Sequence, residues 1–166
     1  VTNATISSDG AVIPTSGATT VSFNNVFSSR FRRYLIEFYY ATPANSGSQL
    51  RLRAAGVDST ASSYAIQNLW ASGSTPTAGA LTSQTLWTVA AVGGLNFSGT
   101  IHLSNPAISA STKMLEAFVN TAAAGGVGIT SAVGHNGVAG VFDGFTFILS
   151  SSSFSADGYF KIYGMA

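Results

Sequence analysis

Alternation with a period of two is the feature that most restricts this chain. In Tyr34-Leu35-Ile36-Glu37-Phe38-Tyr39-Tyr40, positions 34, 36, 38 and 40 are large and apolar, and a strand puts every second side chain on one face. Aromatic and β-branched residues also suit a pleated, half-buried surface. The next segment, Ala41-Thr42-Pro43-Ala44-Asn45-Ser46-Gly47-Ser48, has turn chemistry, because proline presets φ while asparagine and glycine tolerate positive φ. Gln49-Leu50-Arg51-Leu52-Arg53 then alternates again, with both leucines on one face and both arginines on the other. The two runs are expected to pair as a hairpin.

Further strands are expected over residues 20–26, 63–70, 84–92, 97–103, 113–120, 128–133, 144–149 and 158–163, joined by short segments of Gly, Ser, Asn and Pro. Short strands at regular spacing indicate a sandwich or barrel. The expected fold is an all-β antiparallel β-sandwich of about eight to ten strands. Residues 112–122 offer the one helical alternative, through Met114, Leu115 and Phe118, but Val119, Asn120 and Thr121 oppose it. Residues 1–19 lack alternation and are punctuated by Gly10, Pro14 and Gly17, so they are expected to be an N-terminal arm or linker. Residues 20–166 then form a single domain, and the small-residue segments 121–127 and 150–153 link strands within it.

Composition narrows the function. Only 8% of residues are charged, against about 25% in an ordinary soluble domain, and serine and threonine supply the missing polarity. The net charge of +1 is far from the basic surplus that phosphate neutralisation needs, so no nucleic-acid partner is expected. No uninterrupted apolar run of about 18 residues is present, so no membrane insertion through a helix is expected. The absence of cysteine excludes a disulfide scaffold, a thiolate zinc site and a cysteine nucleophile. Low charge also permits close association between copies. Residues 70–102 carry no charge at all with histidine neutral, which makes them a candidate for self-association or neutral glycan contact.

Catalytic groups are few and scattered. Asp143-Gly144 and Asp157-Gly158 are turn dipeptides, and Glu37 is expected to pair with Arg51 or Arg53 across the hairpin. No Gly-x-Ser-x-Gly nucleophile elbow occurs, and no carboxylate pair can be nominated for a glycosidase. His102 and His135 have no neighbouring ligand in the sequence, and His135-Asn136-Gly137 has turn chemistry. No enzyme activity, metal or cofactor is expected. Binding is the better use of the chain: Trp70, Trp87 and Tyr64 lie near the loop expected at 73–79, where aromatic rings beside polar loops would grip a sugar. The alternative is that these rings are core or interface. Arg51 and Arg53, with Arg30, Arg32 and Arg33, form either a polar strand face or subunit contact, or a patch for an anionic ligand.

Phe142-Asp143-Gly144-Phe145-Thr146-Phe147-Ile148-Leu149, a serine-rich loop, and Gly158-Tyr159-Phe160-Lys161-Ile162-Tyr163-Gly164-Met165 resemble the ending of tail-fibre and receptor-binding appendage proteins of tailed bacteriophages. The upstream order, from the strand after Arg33 to the Asn105-Pro106 pair, is similar too. The resemblance covers roughly Phe23 to Ala166 and implies a jelly-roll-like sandwich, a homotrimer, other virion proteins as partners, and a virion location. It further implies contact with a bacterial surface glycan, with Phe145 and Phe147 in the core and Ile162 and Tyr163 filling the closing strand. A capsid decoration or head-fibre protein, and a secreted carbohydrate-binding module, are the alternative readings.

Overall fold

The computed structural model describes residues 1–72, 74–109, 112–123 and 126–165. All regular structure among them is β, in twelve strands. The strands are β1 (Ala4–Ile6), β2 (Val12–Pro14), β3 (Thr20–Phe23), β4 (Arg33–Ala54), β5 (Val57–Asp58) and β6 (Tyr64–Ser72), then β7 (Thr75–Gln84), β8 (Trp87–Ser104), β9 (Lys113–Ala123), β10 (Gly126–Asn136), β11 (Gly144–Leu149) and β12 (Gly158–Met165). Every pairing is antiparallel. Lys113–Ala123 is strand, so the helical alternative over residues 112–122 is not taken.

The first layer runs β1-β2-β12-β4-β8-β9-β10-β6-β7. The second is built from β3, β11, the C-terminal half of β4 and the start of β8, with β5 added to β4. β4 and β8 belong to both layers. Tyr34 to Ala41 pair with Leu103 to Asn96, and Ser48 to Leu50 pair with Ala90 to Trp87, with register shifts between. The hairpin expected at 41–48 therefore does not form. Its proline and asparagine mark an exposed bend in one continuous strand, because β8 follows β4 through the bend and holds both halves. Gln49 to Arg53 pair with β11 instead. Residues 84–92 and 97–103 likewise fuse into β8.

The count exceeds the expected eight to ten for a simple reason: β1, β2, β5 and β7 lie where no strand alternation was apparent. β1 and β2, within the segment expected as an arm, pair with each other, and Val12 pairs with Phe160 on β12. β7 occupies most of the loop expected at 73–79; Gly73 of that loop, and Ala124 and Gly125 of the 121–127 linker, lie outside the described residues.

The layers meet through aromatic rings. Phe147 lies 5.0 Å from Phe160, 5.4 Å from Phe38 and 5.5 Å from Tyr40, while Phe23 reaches Phe160 at 5.4 Å. Phe145, Phe147 and Phe160 are fully buried. Tyr40 donates to Ser48 Oγ at 2.6 Å across the bend, and desolvation pushes its phenol well above the usual range. Lys113 is buried too, and its Nζ donates to the Ile108 carbonyl at 2.6 Å. Burial holds that amine below its usual pKa.

Gly144 approaches β3 so closely that a Cβ there would sit 1.9 Å from the Phe23 carbonyl oxygen. Backbone cannot yield as a side chain can, so Gly144→Ala is expected to destabilise the fold by about 1–3 kcal/mol. Urea unfolding of the variant beside the wild type measures this.

Candidate functional site

The sequence-nominated residues separate once the fold is formed. Trp87 is fully buried beneath β10, its indole N–H donating to the His135 carbonyl at 3.2 Å and its ring edge-on to Tyr64 at 4.9 Å. Tyr64 is buried as well; its hydroxyl accepts from the Leu52 amide at 3.1 Å and donates to the Ser59 carbonyl at 3.2 Å. Neither ring reaches solvent, which corrects their nomination as ligand residues. The reason is that the start of β8 folds over the inner face of β6 and β10. Trp70 is half-buried farther along that inner face, packed against Gly79 of β7. Beside it, Asn68 Oδ1 and Thr130 Oγ1 are buried without a hydrogen-bond partner.

Arg51 and Arg53 do leave the core face, as the alternation requires, but their donors are consumed internally. Arg53 bonds Asn24 Oδ1 at 2.9 Å, Thr146 Oγ1 at 2.7 Å and Ser22 Oγ at 3.2 Å, and also contacts Asp58 and the Gly56 carbonyl. Arg51 donates to the Thr85 carbonyl at 3.0 Å and lies 3.5 Å from Asp58. This network ties β5 and β3 onto β4 and β11, and leaves no fork for an anionic ligand. The expected pairing of these arginines with Glu37 is absent because Asp58 takes both of them, while Glu37 lies opposite Lys161 and Thr100 on the other layer. Asp143 is structural in the way its turn dipeptide suggests: Oδ2 accepts from the Ala55 amide at 2.9 Å, and its carbonyl accepts from Val26 and Phe27. Asn136 makes the Asx contact of a turn, accepting from the Val138 amide at 2.9 Å, although it and His135 belong to β10.

A different group of residues faces solvent together. On β12 the even positions point inward, with Phe160 filling the closing strand and Ile162 partly buried. The odd positions, Tyr159, Lys161 and Tyr163, point outward. Tyr163 is 44% exposed and Tyr159 39%, so Tyr163 does not fill the core as the resemblance implies. Tyr39 of β4 pairs with Tyr159 in register and is itself 37% exposed. Two tyrosines four residues apart on one strand face span on the order of 13 Å.

Beside this row is an open groove of about 520 Å³, lined by Ser7, Asp9, Glu37, Tyr159, Lys161 and Tyr163, with Ala11 and Ile13 of the β2 side at its wall. The 7–10 turn is clamped over β12: Lys161 Nζ lies 2.8 Å from Asp9 Oδ2, and Ser7 Oγ donates to Asp9 Oδ1 at 2.5 Å. The bond from Lys161 holds the Asp9 carboxyl well below the usual carboxylate range, and the same contact raises the lysine. Among the described residues no ion pair involves Glu37, so its carboxylate faces the groove as an acceptor. The groove thus offers exposed rings, a free carboxylate and a hydroxyl along one edge of the sheet. The signal for it was present in the sequence as the odd-numbered alternation Tyr159-x-Lys161-x-Tyr163, which the even-numbered core pattern overshadowed.

No group of three or more His, Asp or Glu residues able to hold a metal occurs among the described residues. No helix among them is long and apolar enough to cross a membrane. No family model matches the chain, and no curated protein matches it. Among solved structures, the crystal structure of Caenorhabditis elegans galectin LEC-6 aligns with 88% of this chain and 99% of its own, at 14% identity and a TM-score of 0.30. That superposition is too loose to establish a shared fold.

The Asp9 clamp sets a pH window. Its folded pKa is depressed, so its contribution is present above the usual carboxylate pKa of 3.8 and is lost as pH falls below it. Carbon-detected NMR titration of Asp9 is expected to show this depression, and Lys161→Met to raise the carboxyl toward the ordinary range while the Ser7 hydroxyl still holds it below. In the second layer, Arg53→Met removes the bonds to Asn24, Ser22 and Thr146 and leaves Asp58 with Arg51 and the Thr146 hydroxyl, and is expected to cost about 1–3 kcal/mol in denaturant unfolding.

Proposed function

We propose that this chain is a non-catalytic attachment domain of a bacteriophage virion appendage, a tail fibre or baseplate component, which contacts a neutral glycan on the bacterial surface. The observation that carries the binding half of this reading is the row of exposed tyrosines beside the Asp9–Lys161 groove. A sugar presents an apolar face of C–H groups and a rim of hydroxyls. Tyr159, Tyr163 and Tyr39 supply flat apolar surface with a polar tip, while the Glu37 carboxylate and the Ser7 oxygen supply hydrogen-bond acceptors. A free carboxylate favours a neutral over an anionic sugar, because like charge would repel. The virion half rests on the resemblance of the two C-terminal strands to phage appendage proteins.

Sparse charge agrees with the same use. Surfaces solvated by hydroxyls bind sugars through many weak hydrogen bonds rather than through strong fields, and a fibre presenting several copies converts weak contacts into durable attachment.

Binding of the purified chain to intact bacteria and to an array of neutral and anionic glycans tests this reading. Tyr159→Ala and Tyr163→Ala are each expected to weaken glycan binding by about tenfold or more, whereas Trp70→Ala leaves it unchanged. Equal binding by both tyrosine variants would refute the groove as the site.

A further inference from the structure

The outer face of the first layer changes character beyond β8. On β9, β10 and β6 the outward positions include Met114, Phe118, Ile129, Val133 and Leu69, each between 45% and 55% exposed. Val127 of β10 is 69% exposed. The outward positions of β7 facing β6 are Pro76, Ala78 and Ala80. Among the described residues of this half-face, Glu116 is the one Asp, Glu, Lys or Arg. Large side chains held in water on a nearly uncharged sheet mark a contact surface.

Register shows what fits it. Phe118, Ser131, Leu69 and Ala78 form one row across β9, β10, β6 and β7. Phe118 is a protruding ring on one side of β10. On the other side lies a groove of about 500 Å³, lined by Gln67, Leu69, Ala78, Ala80, Ser131 and Val133. A knob and a groove on the same face, flanking one strand, are self-complementary. A twofold axis lying along β10 in the plane of contact exchanges β9 with β6, and seats Phe118 of each copy against Leu69 of the other. This is the reciprocal contact of an isologous pair.

We propose that this half-face docks a second copy of the chain, giving a face-to-face pair with Phe118 in the partner's groove. Four strands about 4.8 Å apart, each contributing roughly nine residues at about 3.3 Å, give a projected face of about 600 Å². Because side chains corrugate it, that face approaches the roughly 800 Å² per partner of a standard interface. The charge pattern favours a copy over an acidic or basic partner, since one carboxylate near the row offers neither any complement. Stacking along β10 also leaves β12 and the β12-facing half of β4 outside the overlap, so the tyrosine groove of each copy stays open. A threefold arrangement is disfavoured by the same geometry, because knob and groove point in the same direction, whereas a closed ring of three needs their outward directions about 60° apart.

Sedimentation velocity of the full chain across the micromolar range tests the pair. The wild type is expected at the mass of two copies. Phe118→Lys and Leu69→Asp, both exposed substitutions, are each expected to weaken self-association by about a hundredfold, with unchanged circular dichroism. Mixing these two variants sets the introduced lysine of one copy against the introduced aspartate of the other and leaves one native Phe118-to-Leu69 contact, and is expected to recover the mass of two copies. A single-copy or three-copy mass for the wild type, a pair indifferent to both substitutions, or a mixture that stays at one copy would each overturn the proposal. Glycan binding by the Phe118→Lys variant separates the two surfaces: it persists when the pair fails and the groove stands.

Discussion

The pairing of β4 with β8 is the constraint on which the rest of the structure depends. Both strands pass from one layer to the other, and they stay hydrogen-bonded on either side of the bend. The layers are therefore covalently continuous as well as packed face to face. That continuity positions Ile36, Phe38 and Tyr40 beside β12 in the first layer, with Phe38 and Tyr40 against Phe147 of β11, and Leu50 and Trp87 under the far end of the sheet. It also explains why so few charges suffice. The interior is held by aromatic area and by backbone bonds in the ladders, and the three ion pairs among the described residues only fasten short elements, the 7–10 turn and β5, to the long ones.

Two surfaces follow from one alternation. Because each residue buried in the first layer has outward neighbours, an aromatic-rich core strand such as β12 presents tyrosines to water, and the long β9 and β10 present Phe118, Ile129 and Val133. The same sheet carries a polar, ring-lined groove at the β12 side and an apolar face toward β7. The seam between them is β8, whose outward residues Ser98, Thr100, His102 and Ser104 are small or polar. Low charge is thus unevenly used: Arg51 and Arg53 gather on the outside of the second layer around Asp58, while the half-face of the first layer from β9 to β7 carries Glu116 alone among its described outward residues.

Much of the fold was legible in the residues. The strand character of the chain, the division of Leu50 and Leu52 from Arg51 and Arg53, the burial of Phe145 and Phe147, and the structural use of Asp143 all follow from period-two alternation and turn chemistry. Errors arose where local chemistry and long-range pairing disagreed. Pro43 and Asn45 read as a reversal, yet β8 on one side held the chain extended and turned the signal into a bend. Residues 4–6, 12–14 and 75–84 have little alternation of their own and became strands because a neighbour offered an edge. For the site, exposure was the missing quantity. Trp87 and Tyr64 are chemically suited to a sugar, but which ring is covered depends on which strand crosses above it, and no local pattern records that crossing.

The sequence by itself determined that the chain is all-β, which residues share a face within each strand, and that a charge-poor, cysteine-free surface must work through hydroxyls and rings. These properties are local, since side-chain direction repeats every two residues wherever a strand forms. Only the tertiary structure decided which face of each strand became core, that Tyr159 and Tyr163 line a groove with Asp9 from the other end of the chain, and that Phe118 stands beside a groove in the same row. Those outcomes depend on contacts between residues distant in sequence, where burial is settled by what packs on top rather than by what lies next in the chain.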